Sequence, residues 1–202
     1  MKITEIETFL DSPNPQNRMK AIIELRNHEP SLVVPLLKRK MYDKELIIRS
    51  FVAMGLGSKQ TDEGFQSLLD LIENDEDPNV KAEAANSLAK YGQKSVPHLI
   101  EFFERESHWL IRQSIFAVIN EINSPELIYQ LCLCALEGEE LVVKLTAINS
   151  LGLLKGTIYE NDAIDILFAL STDKTVEIRV QVAKTLAIFE DIRAKVALAE
   201  LR

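Results

Sequence analysis

A basic residue returns along this chain at a nearly fixed interval, in the same apolar setting except for a looser match at the first, where polar Asn17 precedes Arg18, and that register limits the folds open to it. The positions are Arg18, Arg49, Lys81, Arg112, Lys144 and Arg179, separated by 31, 32, 31, 32 and 35 residues. Around Arg49 stand Ile48 just before and Val52, Ala53 and Leu56 three, four and seven residues after. The same offsets hold Ile111, Ile115, Phe116 and Ile119 around Arg112, and Ile178, Val182, Ala183 and Leu186 around Arg179. Such offsets place side chains on one face of a helix. Unrelated amphipathic helices do not hold a common register along a whole chain, so the sequence is a tandem array.

Each copy reads as two antiparallel helices, A then B, with the basic residue in B. The clearest B start is Asp77-Pro78-Asn79-Val80-Lys81, where Asp77 can cap and Pro78 takes the first helical position. Thr4 and Glu7 form a candidate capping box for the first A helix. The second B helix is expected from about Lys44 to Leu56, with Gly57 as its stop. One domain of six hairpins results, at about 1–28, 29–58, 59–92, 93–122, 123–156 and 157–190. A last helix in 191–202 carries Ala194, Val196, Ala197, Leu198 and Leu201 as an apolar face with no B helix to cover it. It reads as a cap or as the next A helix of a longer array, and fraying is expected over roughly its last ten residues.

Six residues before the basic position lie Asp43, Asp75, Glu106 and Asp173, with Ser12 and Gly138 in the first and fifth copies. The expectation is a ladder of partly exposed ion pairs, each worth little. The net charge of −8 opposes general nucleic-acid binding, which needs a basic face. No apolar run approaches the roughly 18 residues of a membrane span. Cys132 and Cys134, two apart on one helix, face different ways and suit a reducing cytoplasm as packed thiols. Gly55-Leu56-Gly57 is read as a helix end, not a phosphate loop, and no catalytic, metal or cofactor set can be assembled by spacing.

The Asp-x-x-x-x-[Val/Ile]-[Arg/Lys] turns and Ala-rich second helices resemble HEAT repeats. Val34-Pro35-Leu36-Leu37, Val96-Pro97-His98-Leu99 and Asp77-Pro78-Asn79-Val80-Lys81 resemble more specifically the phycobilisome-lyase type of HEAT-like repeat. The resemblance implies an all-α, right-handed α-α superhelix, a solenoid of six hairpins, with the B helices on its concave side. It implies either a non-catalytic adaptor that binds another protein, in phycobilisome assembly or degradation with a phycobiliprotein as partner, or a bilin lyase or lyase subunit acting on a tetrapyrrole. HEAT-like di-iron hydroxylases need several His-Glu pairs, and this chain has one, His28-Glu29.

Within the B helices, the positions two before, two after and five after the basic residue lie on a flank the core does not require. In the third copy they are Asn79, Glu83 and Asn86; in the second they are Ile47, Phe51 and Met54. Leu110 and Val142 continue the first of these positions, with Trp109 adjacent. Ile47, Phe51, Met54, Trp109, Leu110 and Val142 are the candidate protein-binding residues, since Met and aromatic side chains are common at interaction surfaces.

Overall fold

The apolar offsets around each basic residue become the core. Ile48, Val52, Ala53 and Leu56 are wholly buried, as are Val80, Ala84, Ala85 and Leu88, and Ala147, Ile148 and Leu151. Each buried Leu, Ile or Val contributes about 1.5–3 kcal/mol relative to exposure. The computed structural model describes residues 1–200, the side chains of Ala197, Leu198 and Glu200 apart; Leu201 lies outside the described residues. Among the described residues there are helices and turns and no strand. The chain is an all-α repeat protein built from helical hairpins.

Two units are distinguished, Met1–Ser95 and a second from Val96 onward. The first comprises α1 (Ile3–Leu10), α2 (Pro15–Leu25), α3 (Pro30–Lys38), α4 (Leu46–Lys59), α5 (Asp62–Asn74) and α6 (Pro78–Ala89). Its B helices α2, α4 and α6 pack in succession, and α5 lies against α4 and α6. The second comprises α7 (Val96–Arg105), α8 (Trp109–Ile122), α9 (Pro125–Glu137), α10 (Leu141–Leu151), α11 (Glu160–Leu170), α12 (Val176–Leu186) and α13 (Ile192–Glu200). Here α8, α10 and α12 succeed one another in the same way.

The expected cap is present at α6, where Asp77 accepts from Asn79 N at 2.8 Å; at α9 Ser124 plays the same part, accepting from Leu127 N at 3.2 Å. The first helix begins earlier than Thr4. Lys2 is its N-cap, and Glu5, at the third helical position, accepts from Lys2 N at 3.0 Å.

Gly57 does not end α4. The helix runs on to Lys59 and stops at Gln60, in the left-handed region at φ 48°. Gly57 is buried where α4 meets α6, and a Cβ there would stand 2.6 Å from Ser87 Cβ and 2.9 Å from its backbone. It is glycine because two helices approach closely, not because the chain turns.

The ladder is also built differently from the sequence expectation. In four copies the guanidinium donates to the backbone carbonyl six residues earlier: Arg18 to Ser12 O (2.9 Å), Arg49 to Asp43 O (2.8 Å), Arg112 to Glu106 O (2.6 Å) and Arg179 to Asp173 O (2.8 Å). Any residue supplies that carbonyl, which is why Ser12 can stand where the others have an acid. The side chain at that position serves its own turn instead, accepting from the N–H two residues on. Ser12, Asp43, Asp75, Glu106 and Asp173 all do so, at 2.7–3.2 Å.

The ion pairs link one copy to the next. Arg18 reaches Asp43 at 2.7 Å, and Arg49 grips Asp75 with two bonds of 2.6 and 3.0 Å. They are more shielded than expected: the Arg18 and Asp43 side chains are 5% and 8% accessible, Arg49 is 16% and Asp75 is 3%. Breaking a buried pair of this kind costs far more than breaking a surface one.

Candidate binding surface

On α4 the core side chains leave one flank uncovered. Ile47, Phe51 and Met54 are spaced four and three apart, hence on one stripe. Ile47 is 46% and Met54 44% exposed, and Phe51 is half-buried. Beside Phe51 and Met54 the surface dips into a groove of about 240 Å³. Its floor is Ile22, Leu25 and Val33; Ile23 of α2, 42% exposed, lines it with Phe51 and Met54. Ile47 stands on the same helix outside the groove. Ile23 escaped the sequence reading although it occupies the Met54 position of the first copy, five after Arg18; the looser match around Arg18 concealed it.

One end of this groove is formed by the C-terminal ends of the B helices, and it is cationic: Arg26, Lys59 and Lys90 line it. Lys59 Nζ donates to Arg26 O at 2.9 Å and His28 O at 2.6 Å, neutralising carbonyls left open at the end of α2. On α6, Glu83 is half-buried, and burial raises its carboxyl above the ordinary range.

The other three candidates belong to the second unit, described by itself. Trp109 opens α8, exposed and stacked on His108 at 6.3 Å, while His108 Nδ1 accepts from Leu110 N at 3.3 Å. Leu110 is half-buried, and Val142 is exposed near the start of α10. None of the three lines the α4 groove. Between them runs a polar ladder: Gln113 Nε2 donates to Val142 O and to Thr146 Oγ1, both at 2.9 Å, and Gln181 Nε2 reaches Asn149 at 3.3 Å. Cys132 is buried, its thiol pushed up by burial and donating to Ala147 O at 3.3 Å; Cys134 is half-buried, 3.7 Å from an Arg112 nitrogen. Arg112 finds no acid at Gly138; it lies over the Phe103 ring at 4.8 Å.

Among the described residues no three His, Cys, Asp or Glu side chains come together as a metal-binding group, and no helix is long and apolar enough to cross a membrane.

Stacked hairpins of this type define an α-helical repeat protein. Residues 41–120 match the family model for HEAT repeats. The chain is similar in fold to Escherichia coli YibA, at 22% identity and TM-score 0.68, over 99% of this chain and 75% of that one. It is also similar to a complex of CpcE and CpcF of phycocyanin lyase from Nostoc, at 16% identity and TM-score 0.56, over 98% and 93%. Human deoxyhypusine hydroxylase is similar at 14% identity and TM-score 0.53, over 98% and 88%. No curated protein matches the sequence.

Proposed function

We propose that this chain is a non-catalytic adaptor, a single cytoplasmic domain that docks another protein on its B-helix surface. The observation that carries the reading is the α4 stripe, where apolar side chains exceed what the core uses and border a preformed groove. HEAT repeats generally mediate protein interactions, and a long repeat surface suits that task. A place in phycobilisome assembly or degradation, beside a phycobiliprotein, is the finer reading; the repeat type and the likeness to the phycocyanin lyase complex support it.

The test is Ile47→Glu with Met54→Glu. Both side chains are over two-fifths exposed, so the variant is expected to fold with the wild-type melting temperature and to lose the partner captured from the source cell. Capture that survives the double substitution overturns the reading. A bilin lyase would instead change the visible absorbance of a linear tetrapyrrole on mixing.

A further inference from the structure

The α4 groove is basic in a chain that is acidic. Three cations line it and no carboxylate does, although the chain has 31 acidic against 23 basic residues. Lys59 is engaged with the carbonyls at the end of α2. Arg26 and Lys90 are exposed, and neither forms a salt bridge among the described residues, although Lys90 acts at longer range on Glu83. Other cations of the same unit are bound: Lys38 to Glu63, Arg39 and Lys40 to Asp11, and Lys94 to Asp62. Two exposed cations therefore flank an apolar floor.

We infer, resting on the reading of this groove as a protein-docking surface, that its occupant is an acidic peptide segment of the partner. Apolar side chains of the segment seat against Ile23, Phe51 and Met54, and Asp or Glu carboxylates lie beside Arg26 and Lys90. The groove's volume of about 240 Å³ falls below the roughly 300–1,000 Å³ of pockets that bury a drug-sized ligand. It suits a few side chains of a chain that continues outside. A nucleic acid is the poorer fit, because its phosphates extend well past three cations across a chain of net charge −8. Rim charges of this kind set selectivity and association rate by complementarity.

The test is selection of a displayed library of short random peptides on the full chain, with counter-selection on the Met54→Glu variant. Enriched peptides are expected to place Asp or Glu beside apolar residues. One of them, followed by fluorescence anisotropy, is expected to lose about tenfold in affinity on Arg26→Glu with Lys90→Glu. Changing its own acids to Lys restores binding to that variant, whose melting curve matches wild type. Neutral or basic winners, or an affinity indifferent to the charge reversal, overturn the inference while leaving the groove a docking surface. No enrichment over Met54→Glu removes both. Tighter binding of a single-stranded oligonucleotide than of any selected peptide, lost on charge reversal, also overturns it.

Discussion

The B helices of the two units solve the same packing problem and finish it differently. In the first unit two of the three basic rungs close on carboxylates, Arg18 on Asp43 and Arg49 on Asp75, both pairs largely shielded from water. The surface beside them is left apolar, at Ile23, Ile47 and Met54. In the second unit Arg112 and Arg179 bond to backbone carbonyls, Gly138 offers no acid, and the neighbouring surface is stitched by its own Gln113, Thr146, Asn149 and Gln181. A surface whose polar groups satisfy one another has little left to offer a partner. An apolar stripe with two exposed cations beside it does. Stability and recognition are thus separated by a few residues around one helix, α4.

The widest gap between the units is expected at the rungs. Arg49→Met strands the buried Asp75 carboxylate and should cost about 3–5 kcal/mol, whereas Arg179→Met should cost about 1 kcal/mol, the scale of lost hydrogen bonds. Urea midpoints compare them directly, and equal losses would erase the distinction between closed and open rungs.

Next comes helix spacing. Gly57→Ala drives a Cβ into the Ser87 backbone of α6 and should cost about 1–3 kcal/mol. Gly152→Ala meets side chains rather than backbone, the movable tip of Ile188 at 2.7 Å and Thr185 Cγ2 at 3.3 Å, and should be milder in thermal melts.

The polar ladder should yield less. Gln113→Ala is expected to cost about 0.5–1.5 kcal/mol, and to leave binding of the selected peptides unchanged in anisotropy. Weakened peptide binding in that variant would move the docking surface toward the second unit.

The smallest effects concern acids, with opposite signs in the two units. Burial raises the folded-state pKa of Glu83 above 4.5. Its contribution is therefore favourable below the unfolded value and is lost as pH rises through the folded one. Glu83→Gln should raise stability slightly at pH 7 and not at pH 4. Asp173 is lowered from 3.8, chiefly by the backbone N–H of Thr175. Its contribution is present at neutral pH and fades as pH falls below that range. Asp173→Ala should lower stability at pH 7 and matter progressively less in acid. Melts across this pH span check both.

The last helix illustrates the boundary of what can be read at its end. Ala194 is buried while Val196 is exposed, and Arg193 ties α13 to Asp165 and Asn161 of α11 at 2.8 and 2.7 Å. The burial of Ala194 was legible, while Ala197, Leu198 and Leu201 of the expected apolar face lie outside the described side chains; the polar tie across one copy was not legible, because the Asn161 and Arg193 positions stand 32 residues apart with no shared pattern.

The sequence by itself determined the repeat, its hairpins and the core face of the B helices, because burial on a helix imposes a period of 3.6 and stacking imposes the same period on every copy. It also singled out the α4 stripe, since apolar residues there replace the Asn and Glu of the next copy. Tertiary structure decided the rest. It showed that Arg49 needs the next copy's Asp75, that Gly57 is a helix contact, and that Ile23, Arg26 and Lys90, which are far apart along the chain, share a groove with Met54. Those facts depend on distances between helices, and a one-dimensional pattern carries the face on which a residue lies but not the neighbour it meets.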